Sequence, residues 1–288
     1  MLDPATNPRR SEPQWPDQTR TYGEQFHDVY DHFVPADSGR VVADAIAGRV
    51  STVATDGRWS VVELGVGTGR VAIPLIDHGV DVHGIDSSAE LLAVARRRAG
   101  AIAGRTASLE LERADIRSWS PRRRYDAAIC VCGTISMLGS EPERTAALRL
   151  ARTSIHDRGV VIVETHRPSV VRRLHGHQQR LDFDFPAHGL SDVVAHSFLD
   201  GTRWEFDMEW PDGAHRRRTH EVTRLVEPDE LVACAADVGL RCNGIYENWS
   251  DLQHGYSVED TGLSPLYIVE LEPRVEPDHS TTTNKTQE

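Results

Sequence analysis

Val61-Val62-Glu63-Leu64-Gly65-Val66-Gly67-Thr68-Gly69-Arg70 decides how this chain reads. A short β-branched run, 59–65, ends in glycine, and a stretch with helical spacing, 70–79, follows it despite Pro74. Glycines at such a junction let the backbone turn tightly beside a ligand. The free N–H groups and positive dipole end of the next helix then face that ligand. Two phosphate-binding loops are excluded. A dinucleotide fingerprint needs a third glycine where Arg70 stands, and a phosphate loop needs Gly-Lys-Ser/Thr, which is absent. What remains is E-x-G-x-G-x-G, a loop suited to a ligand without a pyrophosphate.

Outward from the loop, strands and helices alternate. DVHGID (81–86) is a second short strand, and 87–104 a helix with Glu90 at capping-box spacing from Ser87. A third strand spans 109–115. A fourth, 125–133, is apolar on both faces like a buried parallel strand. A helix over 141–159 and a fifth strand over 160–166 complete the alternation, which predicts a parallel sheet covered by helices on both faces. After His166 the period becomes two. Segments 181–186, 192–201, 202–210 and 216–226 are separated by turn signals such as Asp200-Gly201 and Pro211-Asp212-Gly213. Helical spacing returns over 227–240, and strands follow at 241–249 and 266–272. The expected organisation is an α/β domain from 21–166 and 227–272, an antiparallel insertion at 167–226, and polar tails at 1–20 and 273–288.

Composition narrows the partners. The 288 residues are 39% hydrophobic and 26% charged, with a formal net charge of −12. That balance supports a full core and argues against nucleic-acid or anionic-membrane binding. No apolar run approaches a membrane span, and the N-terminus has no apolar signal stretch, so a soluble, cytoplasmic chain is expected. Cys130, Cys132, Cys234 and Cys242 form no CxxC pair, and His175-Gly-His177 lacks a third ligand, so no metal is expected.

Two further acids fall where an adenosyl group needs them. Asp86 ends the second strand, seventeen residues after Gly69, where a carboxylate accepts both hydroxyls of a ribose. Asp115-Ile116 follow the third strand, where an acid meets an adenine amino group and an apolar neighbour packs on the ring. The segments VELGVGTG (62–69), GIDSS (84–88), ADI (114–116) and YDAAICVCG (125–133) resemble the ordered motifs of class I S-adenosylmethionine-dependent methyltransferases. The resemblance implies a doubly wound, mainly parallel seven-stranded sheet with the antiparallel meander inserted after the fifth strand. It implies S-adenosylmethionine as cofactor, held by Glu63, Gly65, Gly67, Gly69, Asp86, Ser87, Asp115, Ile116 and Val131.

The flanks narrow the branch. Residues 21–31, TYGEQFHDVYD, resemble the first helix of the aminosugar N,N-dimethyltransferases of antibiotic biosynthesis, and the likeness covers about 21–245. In that family the meander forms a substrate platform and often a dimer contact, so a homodimer is one implication. The resemblance also implies that Tyr30 reaches the cofactor's carboxylate end and Tyr22 stands near the transferred methyl group. The other reading is that both tyrosines, eight residues apart on one helix face, pack that helix on the sheet. The family's histidine near the acceptor is replaced by Met137, and a Lys- and Tyr-containing stretch by Asp37-Ser38-Gly39-Arg40. Glu164 and His166, ending the fifth strand on the cofactor edge, either serve the acceptor or cap the strand. His220 and Glu221 point to opposite faces of a strand, so only one faces the pocket; His220 and Arg203 are the expected substrate contacts, with Met137.

Methyl transfer from a sulfonium is an in-line displacement, for which positioning supplies roughly 7–11 kcal/mol. A general base adds about two to four powers of ten. An amine needs only to arrive neutral. Lowering its pKa from about 10.4 to about 7.4 corresponds to roughly 4 kcal/mol, and burial beside a positive sulfur works in that direction. The expected function is therefore methylation of an amine on a small molecule or peptide in specialised metabolism. O- or C-methylation of a natural product, and a non-methylating cofactor-binding relative, are the competing readings.

Overall fold

The computed structural model describes residues 21–34, 36–53, 57–101, 107–254 and 264–274. Three helices open the chain, α1 (Thr21–Phe26), α2 (Tyr30–Phe33) and α3 (Ala36–Val50). Strands and helices then alternate as β1 (Ser60–Leu64), α4 (Ala72–Asp77), β2 (Asp81–Asp86), α5 (Ala89–Gly100), β3 (Leu109–Arg113) and β4 (Tyr125–Cys130). A 3-10 turn over Thr134–Met137 precedes α6 (Glu141–Ser154) and β5 (Ile155–His166). After α7 (Pro168–His175) come β6 (Arg180–Asp184), β7 (Val194–Asp200), β8 (Arg203–Asp212) and β9 (His215–Arg224). The chain returns through α8 (Pro228–Ala236), β10 (Leu240–Tyr246), α9 (Trp249–His254) and β11 (Leu266–Pro273).

Seven strands form one sheet in the order β10-β11-β5-β4-β1-β2-β3, and β6-β7-β8-β9 form a separate antiparallel sheet. Only the pairings of β11, with β5 and with β10, are antiparallel in the larger sheet. Chain order reverses between β1 and β4, which opens a crevice at the carboxyl edge where ligands of such sheets bind. The sheet is buried on both faces. Val62, Leu64, Ala128 and Val161 pack with α6 and α8, whereas Val61, Ala127, Ile129 and Ile162 pack with α3, α4 and α9. A smaller cluster of Phe26, Val29, Ala195, Met208 and Trp210 joins α1 to the four-stranded sheet. No helix among the described residues is long and apolar enough to cross a membrane.

Several expectations shift. The helix predicted at 141–159 ends at Ser154, because Ile155 already pairs with Tyr125 and begins β5. The α5 cap is Ser88, not Ser87: its hydroxyl accepts from the Leu91 N–H at 3.0 Å, which leaves Ser87 for the crevice. Tyr22 and Tyr30 do not share one helix, since a turn over 27–29 divides α1 from α2. His175, expected in a polar connector, ends α7 and is buried against Ser197 at 3.0 Å. Within the expected tail 273–288, Pro273 pairs with Leu240 and the Arg274 N–H donates to Gly239 O. The rest of that tail, like 1–20, lies outside the described residues.

Candidate active site

A cavity of about 480 Å³ lies at the carboxyl edge of β1, β2 and β4, within the range of small-molecule sites. One wall is the glycine loop. Gly65 has φ +83° and the Gly65 and Val66 N–H groups donate to Ile85 O, which folds the loop back on β2. A Cβ at Gly65 would overlap the Thr134 side chain, whereas one at Gly67 (φ +54°) would project into open space. Asp86 pins this loop: one carboxylate oxygen accepts from the Gly67 N–H at 2.8 Å, the other from the Ser88 N–H at 2.8 Å. Burial raises the Asp86 carboxyl above its ordinary value, with those backbone donors opposing the shift.

The loop wall carries complementary charges for an amino-acid group. Glu63 is buried, its Oε2 has no hydrogen-bond partner, and burial pushes its carboxyl up to about 8 while Arg70 opposes. Arg70 lines the same space, donates to Ser38 Oγ at 2.9 Å and to Cys132 Sγ, and keeps a buried Nε without a partner. A carboxyl oxygen without a partner beside a guanidinium fits an ammonium and a carboxylate on one ligand. At the other end Ile116, Leu91 and Leu138 offer apolar sides to a flat ring. Asp115 and Ser87 also line the cavity. The Asp115 carboxylate is gripped by Arg117, through Nε at 2.9 Å and Nη2 at 2.5 Å, and this holds it below the usual range.

Two expected cofactor residues stand off the wall. Gly69 faces Ile73 and Ala95, where its φ of +78° serves the start of α4. Val131 is packed in the core at 1% exposure, and its carbonyl accepts from the Thr134 N–H and hydroxyl. Arg70, in turn, was legible only as the residue displacing a third glycine; nothing in its spacing marked it as part of the site.

The second wall is Tyr22, Tyr30, Cys132, Thr134 and Met137, and it meets the loop where Thr134 abuts Gly65 and Cys132 accepts from Arg70. Tyr22 stacks on Phe26 with centroids 4.4 Å apart, and burial raises both phenols well above their ordinary range, with Glu221 adding to the rise. Gly23 lets α1 lie directly on α5, since a Cβ there would overlap the Ser88 side chain. Cys132 adopts φ +58°, a conformation that costs a non-glycine residue about 1–3 kcal/mol and so is held by its surroundings.

The remaining expected acceptor residues separate. Glu164 does not face the cavity: Oε2 accepts from the Cys132 N–H at 2.9 Å and Oε1 from Trp249 Nε1 at 2.7 Å, so it braces the turn. His166 lies behind Gly133, edge-to-face with Trp204 at 5.0 Å, its Nδ1 without a partner. Burial pushes its imidazole down to about 4. Arg203 lies on the far face of β8 from Trp204 and pairs with Glu205 at 2.7 Å. His220 is exposed and bonds Asp207 at 2.6 Å, because its register partner is Asp207 while Glu221 opposes Phe206. Glu221, not His220, is therefore the inward residue of the pair.

The sheet order, the E-x-G-x-G-x-G turn and the strand-end acids together give the class I methyltransferase fold. Residues 61–159 match the family model described as a methyltransferase domain. Among curated proteins, a dTDP-3-amino-3,6-dideoxy-alpha-D-glucopyranose N,N-dimethyltransferase from Streptomyces fradiae is 33% identical over 105 residues. That match spans 36% of this chain and 38% of the relative, so it covers well under half of either. A glycine/sarcosine N-methyltransferase from Halorhodospira halochloris is 27% identical over 203 residues, 68% of this chain and 71% of its own length. Among solved structures, the CcbJ methyltransferase from Streptomyces caelestis superposes with a TM-score of 0.75 at 23% identity, covering 89% of this chain and 99% of its own.

Proposed function

We propose that this chain transfers the methyl group of S-adenosylmethionine to an amine of a small molecule or peptide in specialised metabolism. Glu63 and Arg70 would hold the amino-acid end of the cofactor, Asp86 with Ser87 the ribose, and Ile116 with Leu138 the adenine. When bound there, the cofactor supplies an electrophilic methyl group on a positive sulfur. Tyr22 lines the same cavity and would donate a hydrogen bond to what binds there, since burial keeps its phenol protonated.

One observation carries the choice of an amine. Burial holds the Tyr22 and Tyr30 phenols and the Cys132 thiol, all on the cavity lining, in their neutral forms. The same environment strips a proton from an entering ammonium, and a neutral amine is already a competent nucleophile. Both curated relatives bear N-methyltransferase names, which agrees with this reading. Incubation with methyl-labelled cofactor and a panel of amines, phenols and carboxylates tests it. Label is expected on nitrogen; label confined to hydroxyl or carboxylate oxygens would overturn it.

A further inference from the structure

We infer that Glu221 receives the acceptor: its carboxylate binds the ammonium form of the incoming amine beside Tyr22 and takes the proton that the nitrogen gives up. This rests on the amine reading above and assigns that reading's missing proton acceptor.

The position follows from strand register. β9 pairs with β8 so that Glu221 lies opposite Phe206, on the sheet face that turns toward α1, while its neighbour His220 lies opposite Asp207 on the outer face. The sheet is fastened in that posture. Gln25 of α1 accepts from the His220 N–H at 2.7 Å, and Arg217 bonds both the Gln25 carbonyl and Asp28. β9 packs on α1 and on the 134–137 turn, which carry the lining residues Tyr22 and Met137, and the Glu221 charge acts on the Tyr22 and Tyr30 phenols.

Its lack of partners sets it apart. On the same sheet Glu205 is paired with Arg203, Asp207 with Arg218 and His220, and Glu209 with Arg216 and Arg218. Glu221 makes no hydrogen bond or ion pair with a described residue. Two positions along the same face, the fully buried Thr219 hydroxyl also lacks a partner. The buried Thr219 hydroxyl, on the same inward face as the half-buried Glu221, costs stability unless a ligand engages it. The charged and titratable groups nearest this face are Tyr22 and Tyr30, with Cys132 and Arg70 beyond them. None of these is a competing proton acceptor: the phenols and the thiol are held protonated by burial, and Arg70 is a permanent cation.

The alternatives are weaker on chemistry. Both Glu164 oxygens are engaged, and His166, pushed to about 4, is a feeble base at neutral pH. Burial brings Glu221 to about 7, where a group accepts and returns protons with equal ease. In the step itself, an N–H proton of the ammonium passes to the Glu221 carboxylate. The freed nitrogen lone pair forms the N–C bond as the C–S bond breaks. The electron pair of that bond stays on sulfur as a neutral thioether, and the proton leaves Glu221 when product departs.

Glu221→Gln and Glu221→Asp, each compared with the wild type, test the assignment. Calorimetry with S-adenosylhomocysteine reports both folding and cofactor binding, and its Kd is expected to stay within about twofold. For any amine among glycine, D-glucosamine and tyramine that the wild type methylates, Glu221→Gln is expected to lower kcat/KM by about 100-fold and to erase the acid limb of its pH profile. Glu221→Asp is expected to recover part of the rate and restore that limb. A Gln variant with unchanged kcat/KM and pH profile would overturn the role of Glu221 while leaving amine methylation standing. Wild-type transfer to phenol oxygens alone would remove the amine reading and this assignment with it. If no probe is methylated, the three amines are titrated into the S-adenosylhomocysteine complex: tighter binding by wild type than by Glu221→Gln supports the assignment, and equal or absent binding overturns it.

Discussion

The two walls of the cavity are built by different means. The loop wall is mostly backbone and strand-end acid: Gly65 and Gly67 follow β1 directly, Asp86 ends β2, and their hydrogen bonds close within one strand-helix-strand unit. The second wall is side chains delivered by distant parts of the chain, with Tyr22 from α1, Tyr30 from α2 and Met137 from the turn after β4. The first wall depends on local turn chemistry and tolerates little change. The second depends on how separate elements pack, so the same scaffold accommodates different acceptors by altering a few side chains.

Asp86→Ala strikes the first wall hardest. It removes the acceptor of two backbone hydrogen bonds and the proposed ribose contact, each charge-assisted bond contributing about 1.5–3 kcal/mol. S-adenosylmethionine affinity measured by calorimetry is expected to fall by about 100-fold or more. An affinity within a few-fold of wild type would place the nucleoside away from β2.

Glu63 gives the same wall a pH signature. In the ligand-free protein its carboxyl holds a proton up to about pH 8, whereas an ammonium beside it favours the ionised form. Binding therefore expels a proton below that pH, and cofactor affinity is expected to rise by up to about tenfold per unit until pH 8, then level off. Calorimetry near pH 7 in buffers of different ionisation enthalpy counts the proton, and Glu63→Gln abolishes it. The sign for folding is opposite. Because the folded-state value is raised above the ordinary 4.5, ligand-free stability falls as pH climbs from there toward 8, and Glu63→Gln removes that slope in denaturant titrations.

Tyr22→Phe moves the test to the second wall. It keeps the stack on Phe26 and deletes one donor, whose loss costs about 0.5–1.5 kcal/mol. Turnover is expected to fall by about three- to tenfold with the S-adenosylhomocysteine Kd unchanged. Equal kinetics for the two proteins would return Tyr22 to a packing role.

The contrast between the walls also explains what could be read in advance. The sheet, the glycine turn, Asp86 and Ile116 sit where short-range pattern places them, since a parallel α/β unit repeats one strand-turn-helix grammar. Arg70 escaped because its reach to Cys132 and toward Tyr30 depends on α2 and β4 folding over it. The Ala43, Ile46, Ala47, Val50 stripe of α3 carried helical spacing, but its partners in α4 and α9 belong to tertiary packing. Glu164 and His166 end the strand as the sequence predicts, yet both turn away from the cavity toward Trp249 and Trp204, 85 and 38 residues away.

The smallest expected effect falls on the residue beside Glu221. Strand alternation demands that one of His220 and Glu221 face inward, but the phase was not legible. Both faces of β9 mix types, with buried Thr219 and Thr223 on one and buried Val222 on the other, so hydrophobicity does not mark the inner side. Register with β8 settles it, pairing His220 with Asp207. His220→Ala removes an exposed contact to Asp207, which Arg218 still neutralises, and leaves intact the backbone bond to Gln25. An exposed pair of this kind contributes about 0–1 kcal/mol. Unfolding midpoint, cofactor Kd and kcat/KM are all expected to shift less than twofold or by about that energy. A large loss of kcat/KM in His220→Ala, with Glu221→Gln unaffected, would mean that β9 sits in the opposite phase and that the inner face of the meander has been assigned the wrong way round.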